Sequence, residues 1–392
     1  MDRTTEIELV RRIFGYLDTR TTAMSDRVHL EPVTGYDCHE QAQRERRRFF
    51  RDEPLVLALS CDVARPGDFI THDLTGVPIL LARTRSGHAR AFVNVCRHRG
   101  ARVVEGSGCG GSGCGRQSFA CPYHAWTYDC DGRLLGMGTT RGFEGVDREH
   151  HGLTALPVLE RHGLVWVRPV PGAAPDADAL LQGMGDALDA YGWSGFHRYE
   201  TRTLRRRMNW KLAVDTFLES WHVPVLHRRT IAQALHSGVA AFDRFGRNLR
   251  LVFPLKSIDA LRGWPEAEWR VVPYALIVHV VFPSTVLVMA SDHLESWRIF
   301  PAGQSPDESV IEASLYTPDP VETEAARGEW ARRFAQMLGT VEAEDFPVAE
   351  GVQRGLGAGA QACLTFGRHE PALAHFHRAV ARELGVEATR TS

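Results

Sequence analysis

Lysine is almost missing from this chain of 392 residues: Lys211 and Lys256 are the only two, and arginine carries nearly all the positive charge. We read that as a compositional bias, not as a function. An excess of one charge is missing too. The 46 basic and 48 acidic residues leave a formal net charge of −2, which gives no reason to expect nucleic acid or an anionic membrane as partner. There is no run of about 18 apolar residues, so no segment is expected to span a membrane. The opening MDRTTEIELVRRIFGYL lacks the apolar stretch of a signal peptide, and a cytoplasmic setting is expected. No convincing flavin or dinucleotide fingerprint is present. The 8 cysteines, without an export signal, argue for metal binding or free thiols before a disulfide framework. What is there, 44% hydrophobic and 24% charged residues, is ordinary globular composition with length for two domains.

Apolar spacing predicts a helix over residues 4–20 and a second over His39–Phe50, whose RERRR reads as a solvated face. From Leu55 the pattern turns to short strands broken by PGD, SGH, DGR and RHG, a small β domain ending near Val170. PVPGAAPDAD reads as a linker, with a helix after it over Asp176–Tyr191. Strand-like TRTLRRRM, the NWK helix, five further strands between 249 and 318, and three late helices complete an α+β domain with an antiparallel sheet. The expected division is 1–40 as a helical segment packing on the α+β domain, 41–170 as the β domain, and 171–392 as the α+β domain.

Two stretches carry chemistry. In NWKLAVDTFLESWHVPVLH, a continuous helix would put Asp215, Glu219 and His222 at i, i+4 and i+7 on one face. Pro224 is expected to end or kink it, with His227 returning from the next segment. Two imidazoles and a carboxylate with open positions form the site of non-haem Fe(II) oxygenases. Upstream stand Cys96-Arg97-His98 and Cys121-Pro122-Tyr123-His124. They fit zinc as Cys2His2 or a Rieske [2Fe-2S] centre, in which two Cys bind one iron and two His the other. Short C-x-H and C-x-x-H pairs on loops of a β domain favour the second.

The flanks NVCRHRGA and CPYHAWTYDCDGRLL resemble the Rieske motif. With NWK and E-x-x-H-x-x-x-x-H downstream, nearly the whole chain resembles the catalytic α subunits of Rieske non-haem iron aromatic-ring-hydroxylating oxygenases, including their monooxygenase and demethylase relatives. The resemblance implies an N-terminal all-β Rieske [2Fe-2S] domain followed by a helix-grip (START-like) catalytic domain. It implies Cys96, His98, Cys121 and His124 as cluster ligands, and His222 and His227 as iron ligands. Asp345 in EDFPVAEGVQRGL is the third, with Glu344 as competitor and Glu350 behind it. It also implies Glu219 as the bridge to the neighbouring subunit's His124 in a head-to-tail trimer. Asp215 is the rival for that bridge. Asn209 either lines the iron pocket or caps the helix.

Implied partners are O2, a small organic substrate, and a separate NAD(P)H-dependent reductase, with or without a ferredoxin. Implied products are a cis-diol, an alcohol, or a dealkylated amine or ether. Many relatives have Asp at the bridging position; Glu219 also matches relatives that oxidise quaternary amines. The chain departs from the pattern in GSGCGGSGCG, which adds Cys109 and Cys114 and reads as a glycine-rich insertion. Cys38, Cys61, Cys130 and Cys363 read as packing residues. His279, His293, Trp297, Phe282 and Phe300 fit either a core or a pocket wall.

Overall fold

The computed structural model describes residues 1–108 and 116–386, so Cys109 and Cys114 lie outside the described residues. Two compact units emerge. The smaller comprises Arg46–Leu180 with Gly192–Gly195; the larger comprises Met1–Glu45, Leu181–Tyr191 and the chain from Phe196 onward. The division at Glu45/Arg46 falls inside one helix, His39–Phe50. A helix running through a boundary offers the sequence pattern nothing to mark, and residues 171–180 group with the smaller unit.

The smaller unit is built of antiparallel sheets. Leu55–Leu59 pairs with Leu164–Val167, which pairs with Val158–Arg161. A second sheet runs Ala155–Leu156, Ala89–Val93, Ile79–Arg83, Phe69–His72 and Ser107–Gly108. Every residue of Leu55–Leu59 and Ile79–Arg83 is buried, which is why Leu55–Leu59 and Ile79–Ala82 read as unbroken apolar runs. A third, three-stranded sheet joins Ser118–Ala120, Thr127–Asp129 and Leu134–Gly136. Sequence patterning missed it because its strands are three residues each.

The larger unit centres on a seven-stranded antiparallel sheet. Its order is His197–Arg206, Ser309–Thr317, Leu294–Pro301, Thr285–Met289, Ala275–Val281, Asn248–Pro254 and Ala241–Phe245. The helix over Arg3–Thr19 (α1) packs Phe14 against Trp269 at 5.3 Å between ring centroids, and Arg12 pairs with Asp243. The helix expected over Asp176–Tyr191 is two short ones, Ala177–Leu181 and Gly185–Asp189. Left-handed Gln182 (φ 50°) and Gly183 (φ 94°) interrupt it.

His39–Phe50 (α2) is not wholly solvated. Glu45 is buried and receives Lys211 Nζ at 2.6 and 2.7 Å and Trp210 Nε1 at 2.8 Å. This ties α2 to Trp210–Asp215 (α3). Removing one partner of so buried a pair typically costs about 3–5 kcal/mol. Asn209 is the N-cap of α3: its side chain accepts the Lys211 amide at 3.0 Å and donates to the Tyr36 and Pro306 carbonyls.

Candidate metal centres

In the smaller unit, two tight loops present the Cys/His pairs. After Ala89–Val93, the Cys96 amide donates to Ala101 O at 2.8 Å and the Gly100 amide to Cys96 O at 3.0 Å. Buried Asn94 clips the base of this loop to both backbone polar groups of Val104. In the second loop the Cys121 amide donates to Trp126 O, and the Ala125 amide to Cys121 O. Ala125 is left-handed at φ 57°. Gly138 is required beside this loop, because a Cβ there would stand 2.7 Å from His124 O.

The four side chains converge. Cys96 and Cys121 are buried free cysteines, and the His98 and His124 rings are 4.6 Å apart. Trp126 stacks on His98 at 5.0 Å and 8°. Tyr128 Oη accepts the Arg97 amide at 3.0 Å and lies 3.4 Å from Cys96 Sγ, so its proton is free to point at the sulfur. Burial, then the charges of His124 and Arg99, lower the His98 pKa. His98 Nδ1 is buried without a hydrogen-bond partner. Two thiols and two imidazoles with an unspent buried nitrogen fit a Rieske [2Fe-2S] cluster. The thiols lie on the buried side, whereas His124 and Tyr123 are exposed.

In the larger unit the expectation that Asp215, Glu219 and His222 share a helical face does not hold. α3 ends at Asp215, and the Phe217 and Leu218 amides close shorter turns onto Val214 O and Asp215 O. The Glu219 carboxylate then accepts the Trp221 and His222 amides, capping the next turn instead of continuing the last. Pro224 opens the short helix Val223–Leu226 (α4) rather than ending one; proline has no amide to lose in a first turn. Asp215 turns away to Tyr36 Oη (3.0 Å) and His377 Nε2 (2.8 Å).

The second half of the centre comes from a long helical segment, Glu324–Thr340 (α5) and Phe346–Leu356 (α6), joined by a π turn over Val341–Asp345. Pro347 supplies no amide to the helix at this point, and the Phe346 amide reaches back to Val341 O. Wide turns of this kind are frequent at functional sites. Here it presents Glu344 and Asp345 together to His227. Trp297, fully buried in the sheet, packs on Phe217 at 5.4 Å and on Phe346 at 6.5 Å, beneath both halves.

His222, His227 and Asp345 offer ligand atoms that all lie within 4.8 Å of one another. Asp345 Oδ1 is 3.0 Å from His227 Nε2 and 3.5 Å from His222 Nε2. Each Nδ1 is held by another carboxylate: Glu344 on His227 at 2.6 Å, and Glu219 on His222. Thr230 Oγ1 steadies Glu344 at 2.7 Å. Burial would lower the His227 pKa, but the bonds to Asp345 and Glu344 outweigh it and raise the value. Burial likewise raises Glu219, and the His222 hydrogen bond and charge bring it below the usual range. Two imidazoles aimed by carboxylates at a third carboxylate fit a mononuclear iron. Glu350 is engaged elsewhere, accepting the Arg207 amide.

These groups open on a cavity of about 520 Å³. Its walls include Phe217, Val223, Phe253, Val278, Val288, His293 and Glu295, but not Asn209 or Asp215. α5 adds Arg333, Gln336, Met337 and Thr340. Their i, i+3, i+4, i+7 spacing leading to Asp345 was a visible signal that the sequence reading did not use. His279 is instead fully buried, bonded to Tyr191 Oη at 3.1 Å.

The description "Ring hydroxylating alpha subunit (catalytic domain)" matches residues 194–385, and "Rieske [2Fe-2S] domain" matches residues 53–146. The glycine betaine monooxygenase oxygenase subunit of Pseudomonas aeruginosa is 30% identical over 178 residues, 45% of this chain and 40% of that protein. The chain thus spans less than half the length of that curated relative. The anthranilate 1,2-dioxygenase large subunit of Burkholderia cepacia is 26% identical over 357 residues, 83% of each chain. A quaternary ammonium Rieske monooxygenase solved with L-carnitine superposes with a TM-score of 0.74 at 22% identity, over 90% of this chain and 95% of that one. That likeness is one of fold.

Proposed function

The chain belongs to the Rieske-type ring-hydroxylating oxygenase alpha subunits, and on that premise we propose that it is a terminal oxygenase component hydroxylating a small organic substrate. The observation that carries this reading is the His222, His227 and Asp345 set, mutually within 4.8 Å, facing the 520 Å³ cavity. These three would hold Fe(II), with Cys96 and Cys121 on one iron and His98 and His124 on the other iron of a [2Fe-2S] cluster. When bound, the cluster supplies electrons one at a time and the Fe(II) supplies O2 activation. The chain's own residues do the rest. Glu219 and Glu344 hold the Nδ1 side of the two rings, which turns each Nε2 toward Asp345. The apolar walls keep water from the reacting atoms.

Exposed His124 in one unit, and Glu219 beside exposed Trp221 and Val225 in the other, support head-to-tail assembly as a homotrimer. In it Glu219 would meet the partner subunit's His124, with electrons arriving from a separate NAD(P)H-dependent reductase. The only aromatic side chains in the cavity wall, among the described residues, are Phe217 and Phe253. Val223, Phe253, Leu276, Val278 and Val288 in the wall support an apolar or aromatic substrate. The glycine betaine relative supports a second reading, monooxygenation of a quaternary amine. Metal analysis tests the proposal first: about three irons and two acid-labile sulfides per chain are expected. Substrate-stimulated O2 uptake with a surrogate reductase tests it next. Two irons with full sulfide would leave no mononuclear centre and sink the reading.

A further inference from the structure

We infer that Glu295 holds an ammonium N–H of the substrate on the wall of the iron cavity. This rests on the oxygenase reading and deepens it: the substrate is a protonated amine with an apolar body. Across five adjacent strands of the seven-stranded sheet, Leu251, Val278, Val288, Glu295 and Leu315 stand opposite one another in a single row. Directly opposed residues share one face of a sheet. Every other member of the row is apolar and buried. Val278, Val288 and Glu295 all line the cavity. One carboxylate thus stands in an aliphatic row, on the face that a substrate meets.

A charge in such a row is costly unless it is partnered, and Glu295 is only half partnered. Its Oε2 accepts Trp297 Nε1 at 3.0 Å, so the indole beneath the iron ligands also fixes this carboxylate. Its Oε1 lies 3.6 Å from His293 Nε2, beyond a hydrogen bond, and no other donor among the described residues reaches it. The strand Leu294–Pro301 is paired on both sides. The 19% of the Glu295 side chain left accessible therefore opens on the sheet face that lines the cavity. The only arginine or lysine in that wall, among the described residues, is Arg333, which donates to Asp292 and, at 2.9 Å, to Glu329. Asp292 also holds His293 Nδ1 at 2.7 Å. Burial would lower the His293 pKa, but Glu295 and then Asp292 outweigh it. Asp292, Glu295 and Glu329 set against Arg333 and His293 leave the group negative whichever form His293 takes. A closed ion-pair network would be the ordinary reading of an acid here. The unfilled Oε1 on the cavity face and the uncompensated charge set Glu295 apart.

An ammonium N–H supplies both missing parts: a charge-assisted hydrogen bond to Oε1, and a positive charge beside a negative group. The apolar body of the amine then rests along Val288, Val278 and Phe253. No bond is made or broken in this step; it sets the end by which the substrate is held.

Calorimetric titration of the holoprotein, with iron and sulfide measured in each sample, tests this using 2-phenylethylamine, 2-phenylethanol and trimethyl(2-phenylethyl)ammonium. The first is a cation with N–H donors, the second an uncharged donor, and the third a cation without a donor. The amine is expected to bind at least about ten-fold more tightly than either of the others. In Glu295→Gln, which keeps an acceptor for Trp297, that advantage should vanish while the affinity for the alcohol stays unchanged. Asp292→Asn removes a charge from the same group outside the cavity wall, and should leave the advantage intact. Equal affinities in the unaltered protein, no binding of the amine at millimolar concentration, or an advantage that survives Glu295→Gln overturns the proposal. So does a trimethylammonium bound as tightly as the amine, which needs no hydrogen bond to Oε1. Loss of the advantage in Asp292→Asn, or loss of alcohol binding in Glu295→Gln, would mark a general field or a structural role and overturns it as well. Failure of the oxygenase reading is read separately, as missing mononuclear iron in the same samples.

Discussion

At Cys96, His98, Cys121 and His124 no carboxylate among the described residues touches a side chain of the set, whereas at His222 and His227 all four ring nitrogens meet one. The first set is walled by Trp126, Phe143 and Tyr128, and the His98 pKa is lowered. The second is walled by acids, and His227 is drawn toward its protonated form. Soft thiols with uncharged imidazoles suit an iron–sulfur cluster that gains and loses one electron. Carboxylates with imidazoles suit a single hard iron that must leave room for O2. The same residue type, histidine, is tuned oppositely by its neighbours.

The largest effects should come from cross-deletion. His222→Ala is expected to lose the mononuclear iron and all turnover while keeping the Rieske visible spectrum. Cys96→Ser should lose that spectrum and spare the iron site. Full iron retained in His222→Ala would refute the assignment of that ligand. A smaller effect is expected from Glu344→Gln, which removes only the group orienting His227. Iron affinity should fall by about 10–100-fold with the cluster spectrum unchanged, measured by competition with a chelator. Equal losses at both centres would break the contrast drawn above.

A separate effect, on stability and not on metal binding, is one of pH, and it belongs to the larger unit. Burial opposes the charge on His377, but Asp215 and Glu31 raise its pKa to about 9. Glu31, despite burial, is lowered to about 2 by His377 and His29. A raised histidine contributes stability fully below its unfolded value of 6.5 and loses it as pH rises through about 9. A lowered carboxylate contributes above 4.5 and loses it as pH falls through about 2. Unfolding of the larger unit should therefore be hardest between about pH 4.5 and 6.5, losing on the order of 3 kcal/mol toward pH 9. In His377→Gln that alkaline loss should be absent. A wild-type slope surviving in this variant would assign it elsewhere.

The convergence of Cys96, His98, Cys121 and His124 was legible because each pair sits in one short loop, whose spacing brings its two side chains together and whose flanks resemble the Rieske motif. The strands were legible because buried sheet reads as unbroken apolar sequence, as in Leu55–Leu59 and Thr285–Met289 with its four apolar residues after Thr285. Asp215 misled because helical arithmetic assumes the helix continues, and the Glu219 carboxylate ends that assumption by capping the next turn. The network of Tyr36, Asp215 and His377 left no trace, since its members lie far apart in sequence and none belongs to a motif. Glu344 and Asp345 were found side by side. Their different tasks depend on a wide turn that residue types alone do not announce.

That wide turn has a consequence for how such a site is gained or lost. Each residue added to or removed from a helix rotates everything beyond it by about 100°. Deleting one residue between Val341 and Asp345 would leave every catalytic side chain in the chain's inventory and still swing the acid pair out of phase with His227. The site is thus guarded by length as much as by chemistry. A single in-frame codon, not a changed amino acid, is enough to switch it off.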